Sequence, residues 1–228
     1  MQCQKCCIFY FINTMKPYWV KTHRLIKKLF SGFVWDIPNN SKTVYLTFDD
    51  GPTPEITEWV LDVLKQHGVK ATFFCIGNNI NNNPEIFKKV IEGGHTIANH
   101  TYNHLNGWKT DNNRYFENID ATEKAIEANG GNRAFKKLFR PPYGRMKRLQ
   151  AAEVRRRGYR IIMWDVLSAD FDKTITPEQC LQNVIRNTRD GSVIIFHDSV
   201  KAFPNVEHAL PEAIKYLKEK GFKFEAIA

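Results

Sequence analysis

Seven short runs of β-branched and aromatic residues, at 43–48, 71–76, 95–99, 137–140, 160–164, 192–196 and 223–227, alternate with stretches of helical period near 55–67, 84–92, 113–129, 147–157, 176–187 and 206–220. Each run has the length of a strand and is followed by a helix or by the end of the sequence. That order is expected of α/β units winding a parallel sheet. Pro54, Asn83-Pro84 and Thr176-Pro177 open helices, and "HG", "EGG", "NGG", "RRG" and "EKG" close them. With 228 residues, 43% of them apolar, the chain can bury one sizeable core, and no linker, repeat or low-complexity tract divides it.

The polar residues fall into a pattern on this frame. Asp49-Asp50 follow the first run, His100 and His104 the third, Arg140 the fourth, Trp164-Asp165 the fifth and His197-Asp198 the sixth. All lie at C-terminal strand ends, where parallel α/β folds place their sites. Adjacent carboxylates repel, so Asp49-Asp50 at the mouth of a buried strand call for a cation. "NHTYNH" sets His100 and His104 four apart, a spacing that brings two imidazoles to one face of a helical turn. With one carboxylate they make an Asp/His/His set suited to Zn²⁺ or a similar divalent ion, with positions left open for water and substrate. The second carboxylate can then act as a base toward a metal-bound water, whose pKa falls toward about 7. Arg140 would hold that carboxylate ionised and oriented. In "FRPPYG" two prolines remove N–H groups and fix φ, which directs the Tyr143 N–H into the site as an oxyanion donor. His197, ending a buried strand, is a candidate general acid for a leaving amine. Taken singly, each has a plainer reading: a capping Asp, a solvated histidine pair, a tight loop, a core histidine. Their common placement favours the chemical one.

TFDDGP, HTYNH, RPPYG, the segment WDVLSADF and IIFHD, in this order over about 43–228, resemble the polysaccharide deacetylase family, the NodB homology domain of carbohydrate esterase family 4. The resemblance implies a distorted (β/α) barrel of about seven parallel strands and metal-dependent removal of N-acetyl, sometimes O-acetyl, groups from sugars. It assigns Asp49 as general base and Asp50, His100 and His104 as ligands of one divalent ion, zinc in the first place, with cobalt or nickel as alternatives. It further assigns Arg140 to orient Asp49, the Tyr143 N–H to the oxyanion, His197 as general acid and Ile195 to the acetyl methyl group. Trp164 and Phe171, with Tyr102 and Trp108, are candidates to stack on sugar rings or to fill the core. One departure stands out. Where the family's Asp-x-x-Asp-Trp motif is expected, this chain has Leu167 for the first Asp and Phe171 for the Trp. If that first Asp is the partner of the acid histidine, a substitute is needed. Asp165, two residues earlier and so on the same strand face, is the expected one; Asp170, the alternative, is expected to support the loop. The expected function is N-deacetylation of an acetylated amino-sugar glycan or oligosaccharide, a metal-bound water attacking the acetyl carbonyl. The alternatives are an O-acetyl carbohydrate esterase, which a weak acid arm would favour, and a carbohydrate-binding pseudoenzyme.

The net charge of +9 suits anionic neighbours but is as simply a solvated face, and no nucleic-acid partner is expected. Residues 1–42 read as an N-terminal segment ahead of the domain at 43–228, with Met15 an alternative start, so that 1–14 need not be native. The apolar run 7–12 is far shorter than the roughly 18 residues of a transmembrane span and makes a poor signal peptide. A cytoplasmic location is therefore the default, with an extracytoplasmic one as alternative because such substrates often lie outside the cell. Leu25, Ile26, Leu29 and Phe30 form a helical apolar stripe beside Lys27 and Lys28, expected to pack on the core, with a membrane surface as alternative. Cys3-x-x-Cys6 without a second pair specifies no metal or redox site. Cys75 and Cys180 read as small buried hydrophobes.

Overall fold

The computed structural model describes residues 18–228. The readings that fall on residues 1–17, the Cys3/Cys6 pair, the run 7–12 and the start at Met15, lie outside the described residues. The strands are β1 (Thr43–Asp49), β2 (Thr72–Cys75), β3 (Thr96–Asn99), β4 (Phe135–Phe139), β5 (Arg160–Ile161), β6 (Val166–Leu167), β7 (Val193–His197) and β8 (Lys223–Phe224). They pair in parallel in the order β5-β4-β3-β2-β1-β7-β6, curling into a half-barrel, and β8 adds to β1. The helices α1 (Arg24–Leu29), α2 (Ile56–Gln66), α3 (Gly77–Asn82), α4 (Pro84–Glu92), α5 (Asn112–Ala128), α6 (Arg148–Arg156), α7 (Pro177–Ile185) and α8 (Phe203–Glu219) connect or flank them. Pro at the first turn of α4 and α7, with the Thr176 hydroxyl accepting from Gln179 N, starts two of them where the sequence indicates.

The period of two along each strand sorts the core into layers. Val44, Leu46 and Phe48 of β1 and Ile194 and Phe196 of β7 face the helices in the large outer core, where the Phe48 and Phe73 rings stack 5.0 Å apart. Tyr45, Phe74, Ala98, Leu138 and Val193 face inward. Continuing the inward set by two-residue steps toward the strand ends gives Thr47 and Asp49, His100, Arg140, and Ile195 and His197. One alternation thus fills the barrel with apolar side chains below and delivers chemistry-bearing ones above.

One expectation about the strands is corrected. The run 160–164 is not one strand; it ends at Ile161, makes a single bridge from Ile162 to Val34, and the chain re-enters as β6. Ahead of β1, residues 18–36 strap the gap between β5 and β6. Val34 N donates to Ile161 O (2.8 Å) and accepts at its carbonyl from Met163 N (2.7 Å), while Leu167 N donates to Val20 O (2.8 Å) and Thr22 N to Asp165 O (3.0 Å). The strap is fixed by a buried ion cluster: Asp165 receives Lys21 and Lys27, and the Ser192 hydroxyl (2.6 Å). Asp165 carries no more than 3% exposure of its side chain, so its charge is held by these donors rather than by water.

A substitution that removes this acceptor strands two cations at the strap. Asp165→Ala is expected to lower unfolding stability by about 2–3 kcal/mol, below the range for fully buried pairs because Lys21 is one-third exposed. Denaturant titration checks this, and a midpoint unchanged from the parent would remove the cluster from the account of barrel closure.

Candidate active site

Arg140 is the largest fully buried side chain of the molecule. Its guanidinium donates to Asp49 Oδ1 (2.6 Å), Thr47 Oγ1 (2.8 Å), Ile162 O (3.1 Å) and Met163 O (2.9 Å), and lies over the Phe74 ring at 4.1 Å from the centroid. Asp49 is thereby fixed by one oxygen, and its Oδ2 is turned toward His100 Nε2 at 3.8 Å. Thr47 and Phe74 escape a reading by motif, although Thr47 is two residues from Asp49 on the same face.

Asp50 leaves the strand with φ +87°, a left-handed conformation costly for a residue with a Cβ. The next residue passes close over Asp198: a Cβ at Gly51 would sit 1.9 Å from Asp198 Oδ2. Asp198 is fully buried and accepts from Gly51 N (3.0 Å) and from the Thr57 hydroxyl (2.6 Å). Burial pushes its carboxyl up to about 7, the two hydrogen bonds opposing and the Asp50 charge adding. Asp198 is thus a buried buttress of the DDGP turn, visible in sequence only as the residue after His197.

His100 and His104 are not on a helical turn. The segment after β3 is an irregular loop in which Thr101 (φ +63°) and His104 (φ +52°) are both left-handed. Side chains hold it there: Asn99 Oδ1 accepts from Thr101 N (2.9 Å), Thr101 Oγ1 from Leu105 N (3.0 Å), and Asn118 Oδ1 from Asn103 N (2.8 Å). The imidazoles still meet, with ring centroids 5.1 Å apart. His104 Nε2 is 3.3 Å, and His100 Nε2 3.9 Å, from Asp50 Oδ1. His100 Nδ1 donates to the Arg140 carbonyl (2.8 Å), which leaves the lone pair on Nε2. His104 Nδ1 is 3.2 Å from the Tyr143 hydroxyl. Burial lowers the pKa of both, that of His100 well below the ordinary imidazole value with His104 and Arg140 adding; nearby carboxylates oppose it in both rings. Neutral imidazoles are what a metal requires.

These residues fit a divalent ion. Asp50 Oδ1 is buried without a hydrogen-bond partner, a costly condition unless something cationic meets it, and the three donor atoms lie within 4.8 Å of one another. Tyr143 heads the facing rim with φ +60°. The turn's bonds are donated by Gly144 N to Pro141 O and by Arg145 N to Pro142 O, so the Tyr143 N–H is not one of its donors.

At the end of β7, in register with Asp49, His197 Nδ1 donates to Asp170 Oδ1 (2.7 Å), and His197 N donates to Asp170 Oδ2 (2.7 Å). Burial alone would lower the His197 pKa; the charge and hydrogen bond of Asp170, then the charges of Asp50 and Asp49, raise it to about 10. This corrects the expected pairing of His197 with Asp165. Asp165 N donates to Val193 O at the start of β7, four residues before His197 and so about 13 Å down the strand. The chain must pass along β6 and turn at Ala169 (φ +61°) before a carboxylate reaches the histidine. Leu167, where a carboxylate was sought, pairs in register with Ile195 and lies with it in a small apolar cluster against Trp164 and Phe171. Phe171 stands edge-on to His197 at 5.4 Å. Trp108 is exposed at 60%, while Tyr102 packs on the outer core.

With this geometry in view, comparison with known proteins gives a consistent answer. The polysaccharide deacetylase profile matches residues 36–162, and the chain belongs to that family. It is 38% identical over 188 residues to a peptidoglycan-N-acetylglucosamine deacetylase of Bacillus cereus, covering 82% of this chain and 67% of that one. The crystal structure of the Bc1960 peptidoglycan N-acetylglucosamine deacetylase superimposes with a TM-score of 0.81 at 36% identity, covering 86% of this chain and 91% of that one. BA3943, a CE4 family pseudoenzyme from Bacillus anthracis, is similar with a TM-score of 0.75 at 28% identity, over 85% of this chain and 66% of that one.

The Asp170–His197 pair makes a prediction about pH. Because the folded pKa is raised, the pair's contribution to stability is full below about 6.5, the unfolded value, and is lost as pH rises through about 10. Asp170→Asn is expected to move the alkaline limb of kcat to lower pH with metal content unchanged. A limb that stays in place would remove Asp170 as the support of His197.

Proposed function

We propose that this protein is a metal-dependent hydrolase that removes N-acetyl groups from an amino-sugar glycan. The observation that carries the reading is the placement of a fixed carboxylate, Asp49 on Arg140, and a protonated imidazole, His197 on Asp170, in register on neighbouring strand ends beside the Asp50/His100/His104 set. The activities of the peptidoglycan deacetylase relatives support the substrate class.

A divalent ion held by Asp50, His100 and His104, zinc in the first place, would supply the Lewis acidity that polarises an acetyl carbonyl and acidifies water. Asp49, held at Oδ1 by Arg140, takes the proton of the attacking water at Oδ2. The Tyr143 N–H donates to the oxyanion, which costs little reorganisation because the turn is already set. His197 donates the proton on Nε2 to the departing nitrogen, and Asp170 balances the imidazolium and fixes the tautomer. Leu167, Ile195, Trp164 and Phe171 offer an apolar wall beside His197 for the acetyl methyl. The ester alternative drew on a missing acid partner, and Asp170 removes that ground. The pseudoenzyme alternative needs the base, acid or ligand set to be broken, and none of these residues is replaced in this chain.

The test is mass spectrometry of acetylated oligosaccharides after incubation with the zinc-loaded protein; loss of one acetyl mass per turnover is expected, and intact substrate throughout would refute the reading. Within the same assay, Asp49→Asn should retain zinc and lose about 10²–10⁴ in kcat. His104→Ala should lose both zinc and turnover, since two protein ligands hold the ion poorly. Equal zinc content in the two variants would remove His104 from the ligand set.

A further inference from the structure

The helix α1 is turned the wrong way round for a soluble surface. Its cation Lys27 points inward to Asp36 and the buried Asp165, and is only 18% exposed. Its leucines point out: Leu25 is 68% and Leu29 74% exposed, and no residue of the helix is buried. The expectation that the stripe packs on the core is therefore corrected; of its four apolar residues, Ile26 packs against the cluster of Trp35, Tyr115, Val154 and Tyr159, while Leu25, Leu29 and Phe30 are exposed. The cause is the ion cluster itself, which rotates α1 so that Lys27 can reach Asp165.

The exposed side of α1 borders a groove of about 740 Å³ between the strap and α6. Trp19, Leu29, Phe30, Trp108 and Met146 line it, with Trp19 66% and Trp108 60% exposed. Lys147, Arg148 and Arg155 add cations to the lining, and none of the described residues that line it is acidic. Arg24 and Lys28 add cations on the helix, and Arg145 lies over the Trp108 ring at 5.1 Å. The groove offers an apolar floor, tryptophans at its edge and a one-sign rim; among the described residues that line it Ser31 alone carries a neutral hydroxyl, and none carries an amide or carboxylate side chain to fix the hydroxyls of a sugar. Tryptophan is the residue enriched where headgroups meet acyl chains, and leucine and tryptophan flanked by Lys and Arg is the composition of a helix that lies in an anionic interface.

We propose that the α1 face and the groove beside it form a docking surface for an anionic lipid bilayer, with Leu25, Leu29, Phe30 and Trp19 entering the headgroup region and Arg24, Lys28, Arg148 and Arg155 meeting lipid phosphates. The charge complementarity selects this occupant: an apolar protein partner would not need the cations, and a soluble anion would not need the leucines. None of the groups assigned to catalysis lines the groove, which meets the rim of the site at Gly144, and its behaviour is independent of which acetylated glycan is hydrolysed.

Sedimentation of the full chain with vesicles tests it, using phosphatidylcholine alone and phosphatidylcholine mixed with phosphatidylglycerol. Binding to the mixed vesicles, weakened by salt, is expected. The Leu25→Glu/Leu29→Glu variant should bind roughly tenfold or more weakly, with thermal unfolding and turnover of a short soluble acetylated oligosaccharide unchanged. Should that variant fold poorly, Arg148→Glu at an exposed position should also weaken vesicle binding, by a smaller factor. Absence of binding by the parent, or equal binding by the variants, overturns the proposal. So does a parent that binds long acetylated glycan but no vesicles and loses the glycan on Leu29→Glu, an outcome that would make the groove a sugar subsite.

Discussion

The guanidinium of Arg140 stands at the centre of this structure because it is a charge buried to zero exposure in a barrel whose other inward residues are mostly apolar. Such a charge is tolerable only when its donors find acceptors and an anion is close. The barrel supplies the carbonyls of Ile162 and Met163, the Thr47 hydroxyl and the Asp49 carboxylate, each from a different level of its wall. The same demand that keeps Arg140 stable therefore fixes the Asp49 carboxylate through its Oδ1. Because the Arg140 carbonyl also receives His100 Nδ1, one residue orients both the carboxylate and a ligand imidazole.

Strain is concentrated around this centre. Asp50, Thr101, His104, Tyr143 and Ala169 all adopt positive φ without being glycine, and all belong to the loops that carry the site. Left-handed backbone in such residues persists only when surrounding contacts over-determine it. The contacts are identifiable: Asp198 under the DDGP turn, Asn99 and Asn118 around the histidine loop, Ser168 and Asn205 around the Asp170 turn. The loops are held open against their own preferences, which leaves Asp50 Oδ1 without a hydrogen-bond partner, beside the two imidazoles where a cation fits.

What was legible in the sequence follows from period and position. Asp49, His100, Arg140 and His197 could be brought together from their strand ends alone, since a step of two along a parallel strand has only one meaning. What was not legible came from places where the period breaks. The two imidazoles meet through a loop rather than a helical turn, so their spacing of four was suggestive for the wrong reason. Asp165 and Leu167 follow the run 160–164 that reads as strand, but the chain leaves the strand after Ile161, and counting faces past that break misassigned the partner of His197. Asp170 lies beyond a left-handed residue, where alternation says nothing. The contribution of residues 18–42 was hidden because a strap that bridges two distant strands has no local signal at all.

That strap also sets an order of events during assembly. Val20, Thr22 and Val34 are among the first described residues to leave the ribosome, yet their hydrogen-bond partners lie at 161–167, and Asp36 bridges to Ser192. A nascent chain must hold this early segment unpaired until most of the sequence has been synthesised. Contacts of such separation carry a large loop-closure cost and form after local ones. The central pairs β1–β2–β3 can assemble while synthesis continues, whereas closing the wall behind Arg140 waits for the last third of the chain. Catalytic competence is therefore acquired at the end of folding, in a step that recruits residues from the beginning.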